Sequence, residues 1–213
     1  MKQSLTLADF QPLAAKLAAD LAAAHDEITA LDAATGDGDL GVTCRLGLQA
    51  VIESPGEAAG SLADALLKAG MAFNSAGAST FGALVATAAM RAAKVAKDGG
   101  LAEWDLAAIV AAGEAAIAGL QQRGGAQQGD KTLLDALIPA VAALKEAEAG
   151  GASLADACAA AAAAAQAGAE STTPLQGKFG RSAWFQERSI GVQDAGATVV
   201  AVVVRAVAEY LRG

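Results

Sequence analysis

Aromatic residues, histidines and cysteines are scarce in this sequence. Aromatic residues make up 4% of the 213 residues and hydrophobic residues 54%, so the core is expected to consist mainly of Ala, Leu and Val. The single histidine, His25, supports no catalytic triad. Cys44 and Cys158 are too few for a disulfide scaffold and form no Cys-x-x-Cys motif. The expected compartment is therefore the reducing cytoplasm.

Positive charge is also in short supply. The chain has 15 Lys and Arg residues against 23 Asp and Glu residues, a net charge of −8. This balance argues against a nucleic-acid-binding protein, which needs a basic surface. An anionic ligand such as a nucleotide would need local compensation from metal ions, helix N-termini or a few basic residues.

The sequence has no apolar run that predicts a membrane span. The nearest candidate is the Ala-rich run 157–169, which is too short and contains Cys158 and Gln166. The N-terminus lacks the basic start and apolar centre of a signal peptide. The length fits one domain, so residues 1–213 are expected to form a single domain that does not contact a membrane.

Apolar residues recur at helical spacing along most of the chain, and this spacing predicts eight helices. Three helix starts carry one signal, a hydroxyl residue followed three positions later by Asp. These are Thr6–Asp9, Ser61–Asp64 and Ser153–Asp156. The first helix is predicted to run to about Asp32 without interruption. The predicted helices begin near Thr6, Gly41, Ser61, Phe81, Leu106, Leu134, Ser153 and Ala197.

The last predicted helix, Ala197–Tyr210, contains a run of β-branched residues. The run Thr198–Val204 has five valines and would suit a strand. A strand here would have no partner in a helical protein. We therefore assign the segment to a helix.

Eight helices joined mainly by short turns predict an all-α fold, a bundle or closed barrel of up-and-down antiparallel helices. In this arrangement every second turn lies at the same end. The turns rich in Gly, Asp and Ser all fall at one end, at 32–41, 74–80, 123–131 and 170–194. The other turns, which include Ser54–Gly56, are interpreted as plain connectors. Four polar turns are thus predicted to converge on one site.

The first of these turns contains three carboxylates, Asp32, Asp37 and Asp39, interleaved with glycines. Mg²⁺ prefers one or two carboxylates together with water and phosphate oxygens, so this trio could hold a pair of Mg²⁺ ions against a polyphosphate. The alternative is structural: a helix C-cap, a turn residue and an N-cap of a helical scaffold. An EF-hand is excluded because the turn is too short and lacks the required Glu.

Two other turns open helices whose free N–H groups favour phosphate. Gly41-Val42-Thr43 opens the second helix, where Thr43 adds a hydroxyl, and Gly77-Ala78-Ser79 opens the fourth. Both could equally be plain helix starts. Neither matches a Walker A or Rossmann glycine pattern, so the familiar nucleotide signatures are missing.

The remaining two turns supply hydroxyl and basic groups. In Gly129-Asp-Lys-Thr132 we interpret Asp130 as the cap of the sixth helix and leave Lys131 and Thr132 open. The turn 170–194 is longer than compact domains usually carry without a function. Its Arg181 could neutralise a phosphate, and Asp194-Ala195-Gly196 is interpreted as the cap of the last helix.

Four separated motifs, in the right order and covering nearly the whole chain, resemble the nucleotide-binding L subunit or L domain of dihydroxyacetone kinases. The motifs are Leu31-Asp-Ala-Ala-Thr-Gly-Asp-Gly-Asp-Leu-Gly41, Gly129-Asp-Lys-Thr-Leu-Leu-Asp135, Gly180-Arg-Ser-Ala-Trp-Phe-Gln-Glu-Arg-Ser-Ile-Gly191 and Asp194-Ala-Gly196. The resemblance implies a barrel of eight antiparallel helices with a nucleotide and two Mg²⁺ ions at one end.

The resemblance also implies roles for individual residues and for partners. Asp32, Asp37 and Asp39 match the metal-binding aspartates, and Arg181 serves with them in catalysis. The expected nucleotide contacts are Leu40, Gly41, Val42, Thr43, Ala78, Ser79, Thr132, Arg181, Asp194, Ala195 and Gly196. The ketose is bound by a separate K subunit, so the chain is expected to be a phosphotransferase that is active only with a partner.

The donor is left open by the resemblance. Some members use ATP, whereas in others the L subunit keeps a bound ADP that a phosphotransferase-system protein rephosphorylates. A homodimer also remains open. Two positions depart from the family pattern: Leu40 stands where His is common, and Thr80 stands where a second Gly is common. Either departure would fit a branch acting on another ketose such as erythrulose, or a nucleotide-binding regulatory module without turnover.

Overall fold

The computed structural model describes residues 2–54 and 60–213. Within these ranges the chain is predominantly helical, with very little sheet. Its helices are α1 (Phe10–Ala23), α2 (His25–Thr35), α3 (Leu40–Glu53), α4 (Leu62–Ala76), α5 (Thr80–Asp98), α6 (Leu106–Gly124), α7 (Leu134–Ala149), α8 (Leu154–Ser171), the short α9 (Ser182–Phe185) and α10 (Ala195–Arg212). The predicted break at Ser54-Pro55-Gly56 lies partly outside the described residues, although α3 does end at Glu53.

Seven of the eight predicted helices are confirmed as single helices, and the last segment is helical rather than a strand. Ser61 and Ser153 cap α4 and α8 by accepting the N–H groups of Asp64 and Asp156, as their sequence signal predicts. The prediction of one continuous first helix is wrong. The backbone leaves helical geometry at Ala24, with φ −91° and ψ 4°, which divides the segment into α1 and α2.

The long helices pack against one another in chain order, and the last helix, α10, packs against the first, α1. Each long helix contacts the next one along the chain, and α10 contacts both α8 and α1. Because α8 consists largely of alanine, it approaches its neighbours closely, and Ala157, Ala161 and Ala165 are fully buried. Small side chains thus allow the helix backbones to come together, and the scarcity of aromatic residues follows from this type of core.

Gly168 of α8 marks the closest of these approaches. A β-carbon at this position would overlap the carbonyl oxygen of Asp135 and would lie 2.9 Å from Cγ of Pro139. We therefore expect Gly168→Ala to lower the free energy of unfolding by about 1–3 kcal/mol, because a rigid backbone must shift. Chemical denaturation monitored by circular dichroism measures the change. Gly124→Ala is the matched control, since nothing lies within 4 Å of its added methyl group, and an equal loss in both variants would contradict the expectation.

The interior between the helices contains an apolar cavity of about 570 Å³. Phe10 and Leu17 of α1, Phe73 of α4 and Val203 of α10 are among the side chains that line it.

No helix in the described ranges is both long enough and apolar enough to cross a membrane.

A two-stranded antiparallel ribbon, which the sequence pattern does not predict, joins the start of the chain to the α5–α6 connection. It consists of β1 (Leu5–Thr6) and β2 (Glu103–Trp104). Beside it, the buried carboxylate of Asp9 accepts hydrogen bonds from the hydroxyl of Tyr210 at 2.7 Å and from the N–H of Thr6 at 2.8 Å, and it also contacts Lys2. This cluster ties the first residues to α10.

The Asp9 cluster predicts a pH dependence of stability. Burial would raise the pKa of Asp9, but the bonds from Lys2, Thr6 and Tyr210 outweigh burial and hold the pKa well below its usual value. A carboxylate with a lowered pKa in the folded chain stabilises the fold above about pH 4 and loses this contribution as the pH falls further. Asp9→Asn is therefore expected to cost about 1–3 kcal/mol at pH 7.

The measurement is urea unfolding of wild type and Asp9→Asn between pH 7 and pH 2. The difference between the two proteins should shrink below about pH 4, because the Asp9 carboxylate of the unfolded wild-type chain takes up a proton there while that of the folded chain stays ionised. Asp64→Asn serves as the control because Asp64 holds the same third position after a helix cap but is solvent-exposed. A difference that is constant over this pH range would contradict the assignment.

Candidate functional site

The four polar turns meet around a cavity of about 420 Å³ at one end of the helices. This agrees with the prediction from turn order. The polar residues that line it are Asp32, Thr35, Asp39, Thr43, Ser79, Thr80, Lys131, Thr132, Arg181, Ser182 and Asp194. Residues more than a hundred positions apart in the chain thus face one space.

The end of α2 and the start of α3 bring the three aspartates together. One carboxylate oxygen from each of Asp32, Asp37 and Asp39 lies within 4.8 Å of the other two. Asp32 also accepts the N–H of Leu40 at 3.1 Å, which fixes its carboxylate on the start of α3. Gly38 has a φ of +75°, a left-handed conformation that glycine adopts without strain.

The electrostatics of the trio favour a bound cation. Burial and the adjacent carboxylate of Asp37 raise the pKa of Asp39, although Arg181 acts in the opposite direction. The guanidinium of Arg181 contacts Asp37 and lies 3.7 Å from Asp39. A cluster of carboxylate oxygens of this kind suits a hard cation such as Mg²⁺, so the residues fit the metal that the sequence pattern suggests.

Capped helix N-termini form a second side of the cavity. The hydroxyl of Ser79 accepts the N–H of Gly82 at 3.0 Å, and the carboxylate of Asp194 accepts the N–H of Ala197 at 2.7 Å. The cap predicted for Asp194 is therefore present. Burial raises the pKa of Asp194 to about 6, against the opposing effects of the Ala197 N–H group and Lys131. N-termini of helices such as these favour anionic ligand groups.

Three of the predicted nucleotide contacts stand apart from the cavity lining. Among the described residues that line the cavity, Gly41, Val42 and Ala78 do not occur, whereas Leu40, Ala195 and Gly196 do. Gly41 is buried against His25 and Val42 is 40% exposed. The side chain of Leu40 is buried and also belongs to an apolar cluster to which α1, α2, α3, α4 and α10 contribute.

The turn between α6 and α7 differs from its sequence interpretation. Asp130 does not cap a helix: it accepts the N–H of Gln127 at 2.8 Å and pairs with Lys178 at 2.7 Å. Asp135, inside the first turn of α7, accepts the N–H of Thr132 at 2.7 Å instead. The carboxylate of Asp135, which follows the turn, thus holds Thr132 at the edge of the cavity.

Sequence reasoning missed the apolar wall of the cavity. This wall comes from α5, α6, the turn before α7 and the segment after α8, and none of its members has a polar group to attract notice. Its residues are Phe81, Leu84, Leu120, Ala126, Leu133, Leu134 and Phe179. Helical spacing marks the members in α5, α6 and α7 as core, and the others lie in turns, so no sequence signal separates these residues from other buried ones.

With this geometry in place, comparison with known proteins decides the family. Residues 34–209 match the family described as the DAK2 domain. The chain belongs to the DAK2 domain family. This confirms the resemblance that the four motifs carry.

Known relatives of this DAK2 domain are kinases or kinase subunits. It is 32% identical over 182 residues to the ADP-binding subunit DhaL of the PEP-dependent dihydroxyacetone kinase of Escherichia coli (strain K12), covering 85% of this chain and 86% of the subunit. It is 37% identical over 199 residues to a D-erythrulose kinase of Mycolicibacterium smegmatis, covering 91% of this chain but 33% of that kinase. The DAK2 domain thus spans about a third of the erythrulose kinase.

A solved structure has the same fold. The dihydroxyacetone kinase of C. freundii in complex with AMP-PNP and Mg²⁺ superposes with a TM-score of 0.74 at 26% sequence identity. The superposition covers 98% of this DAK2 domain and 35% of that chain. The helical fold is therefore shared with part of a dihydroxyacetone kinase whose structure has been solved in complex with AMP-PNP and Mg²⁺.

Proposed function

We propose that this DAK2 domain, acting as one unit over residues 1–213, is the nucleotide- and Mg²⁺-binding part of a kinase that phosphorylates a small ketose. The observation that carries the proposal is the convergence of Asp32, Asp37 and Asp39 with Arg181. Asp32, Asp39 and Arg181 line one cavity. The kinases among the relatives and the nucleotide complex of the solved structure support it.

The cavity offers separate places for the parts of a nucleotide. In this proposal the apolar wall of Phe81, Leu120 and Phe179 takes the base, and the helix starts at Ser79 and Asp194 face the phosphates. The full set of nucleotide contacts is the one that the resemblance implies, Leu40–Thr43, Ala78–Ser79, Thr132, Arg181 and Asp194–Gly196. The three aspartates would hold two Mg²⁺ ions, which neutralise polyphosphate charge when bound.

Phosphoryl transfer of this type depends mainly on positioning and charge compensation. The terminal phosphoryl group leaves the nucleotide and joins the ketose hydroxyl, whose proton passes to a base on the partner. Arg181 is the cation placed to stabilise the transferring group, because its guanidinium lies beside the carboxylates that would hold the metal. The remaining charge of the nucleotide is met by helix N-termini.

The proposal requires a partner that binds the ketose, a K-type subunit or domain. The phosphoryl donor is either exchangeable ATP or a bound ADP that a phosphotransferase-system protein recharges. The second donor would fit the name of the Escherichia coli relative, which is the ADP-binding subunit of a PEP-dependent kinase. A homodimer is a further proposal of the same kind. A second candidate substrate is erythrulose, which the similarity to the D-erythrulose kinase of Mycolicibacterium smegmatis favours.

The test is to mix the chain with a K-type partner, Mg²⁺ and either ATP or a phosphotransferase-system donor, with dihydroxyacetone and erythrulose as separate acceptors. Formation of a phosphorylated ketose, detected by ³¹P NMR, is expected, and the faster acceptor identifies the substrate. Binding of nucleotide and partner without product under any donor would favour the regulatory module instead.

The nucleotide that co-purifies with the chain distinguishes the donors. Bound ADP in the purified chain would indicate the recharged cofactor, and an empty site would indicate exchangeable ATP.

A further inference from the structure

Lys131 is a cation buried almost completely beneath the candidate site. Lys131 is 1% exposed. Its backbone has a φ of +60°, a left-handed conformation that is uncommon for residues other than glycine. Its ammonium group donates a hydrogen bond to the carbonyl of Thr172 at 2.6 Å and another to the carbonyl of Val192. Lys131 and the next residue, Thr132, both line the cavity.

The two carbonyls that Lys131 binds stand at the two ends of one segment. This segment, residues 173–191, lines the cavity with Phe179–Ser182, and we call it the Arg181 segment. Its ends also meet directly, because the N–H of Gly191 donates to the carbonyl of Thr173 at 2.8 Å. Lys131 thus bridges both ends of the Arg181 segment from below.

The bridge extends to the start of α10. The hydroxyl of Thr172 accepts the N–H of Asp194 at 2.8 Å, and Asp194 caps α10. Burial lowers the pKa of Lys131, while the carboxylates of Asp194 and Asp135 oppose this effect. A buried ammonium is costly unless carbonyls and carboxylates surround it. Such groups surround Lys131 here. Its hydrogen bonds therefore connect the turn before α7 to the Arg181 segment, and Thr172 connects that segment to the start of α10.

We propose that Lys131 is a positioning residue that holds the Arg181 segment, and so the guanidinium of Arg181, in register with the three aspartates. The inference rests on the proposed function for the role of Arg181. In this proposal the ammonium acts through the two backbone carbonyls to which it donates hydrogen bonds. Lys131 therefore matters for phosphoryl transfer only as long as Arg181 is present.

The test uses Lys131→Met, which keeps the apolar stem and removes the ammonium group. Lys178→Met is the matched control, because Lys178 joins the same two turns by pairing with Asp130 but its side chain is 60% exposed. Hydrogen exchange monitored by mass spectrometry is expected to speed up about tenfold or more over 172–194 in Lys131→Met alone. Helix α4, which contributes no described residue to the cavity lining, should exchange at the wild-type rate.

A double-mutant cycle with Arg181→Met separates positioning from general destabilisation. In the kinase assay with the K-type partner, Lys131→Met should lower kcat about tenfold in the wild-type background. In the Arg181→Met background it should change kcat less than about threefold, because the residue through which it acts is gone. Equal losses in the two backgrounds, or faster exchange throughout all helices, would overturn the proposal.

Two further results keep the inference distinct from the proposed function. A wild-type chain that forms no phosphorylated ketose refutes the function, while hydrogen exchange over 172–194 still decides whether Lys131 orders the segment. If Lys131→Met does not fold, Thr172→Val removes the hydroxyl link to Asp194 and leaves the carbonyl that Lys131 binds. It should loosen the same residues, and unchanged exchange there would refute the connection.

Discussion

Replacing Asp37 by Ala is expected to weaken Mg²⁺-dependent nucleotide binding by about 100-fold or more. Asp37 is the best of the three aspartates for this test because its side chain is 40% exposed and, within the described residues, it forms an ion pair with Arg181. Asp32, by contrast, also holds the N–H of Leu40, so its loss would disturb the start of α3. A large effect of Asp37→Ala therefore reports on ligand binding and leaves the fold intact.

Isothermal titration of ATP or ADP, with and without Mg²⁺, measures the effect. Circular dichroism should show unchanged helix content. Asp98→Ala is the control: Asp98 is also exposed and pairs only with Lys94 among the described residues, but it lies at the opposite end of α5. Nucleotide binding by Asp37→Ala at wild-type affinity would show that the metal assignment is wrong.

Arg181→Met is expected to lower kcat by about 100- to 1000-fold, with nucleotide affinity changed less than about tenfold. A cation aimed at the transferring phosphoryl group acts mainly in the transition state, where charge is redistributed. Methionine keeps part of the side-chain volume and removes the charge. The separation of kcat from affinity is the signature of a residue that stabilises the transition state.

The assay is steady-state ketose phosphorylation with the K-type partner, together with nucleotide titration of the isolated chain. Arg188→Met is the matched control in the same segment, because Arg188 lies over the ring of Phe185 at 5.5 Å and does not line the cavity in the described part of the chain. Parallel losses in Arg181→Met and Arg188→Met would indicate that the segment as a whole, and not the Arg181 charge, matters.

The local features of the fold could be predicted from the sequence with good accuracy. Helical spacing and hydroxyl caps identify the helices, and the order of polar and plain turns predicts which turns share an end. The valine-rich run Thr198–Val204 was correctly assigned to a helix, although its residues favour strands. Packing against α1 and α8 decides that case, since tertiary contacts override a weak local preference.

The part of the candidate site formed by residues close together in the sequence could be predicted. The roles that depend on contacts between distant parts of the chain could not. The close spacing of Asp32, Asp37 and Asp39 is a local signal, and the structure brings their oxygens together. The distribution of the other roles required coordinates: Asp135, and not Asp130, anchors the turn before α7. Both carboxylates follow the glycines of this turn, and spacing alone does not distinguish the one that binds the N–H of Thr132 from the one that pairs with a distant lysine.

The sequence by itself determined the helices, the end of the molecule at which the polar turns meet, and the aspartate trio. These features depend on periodicity and on neighbours within a few positions. Tertiary structure alone decided the break at Ala24, which has no Gly or Pro beside it and accompanies the packing of His25 on Gly41. It also decided the burial of Lys131, because the carbonyls that satisfy the ammonium lie 41 and 61 positions away.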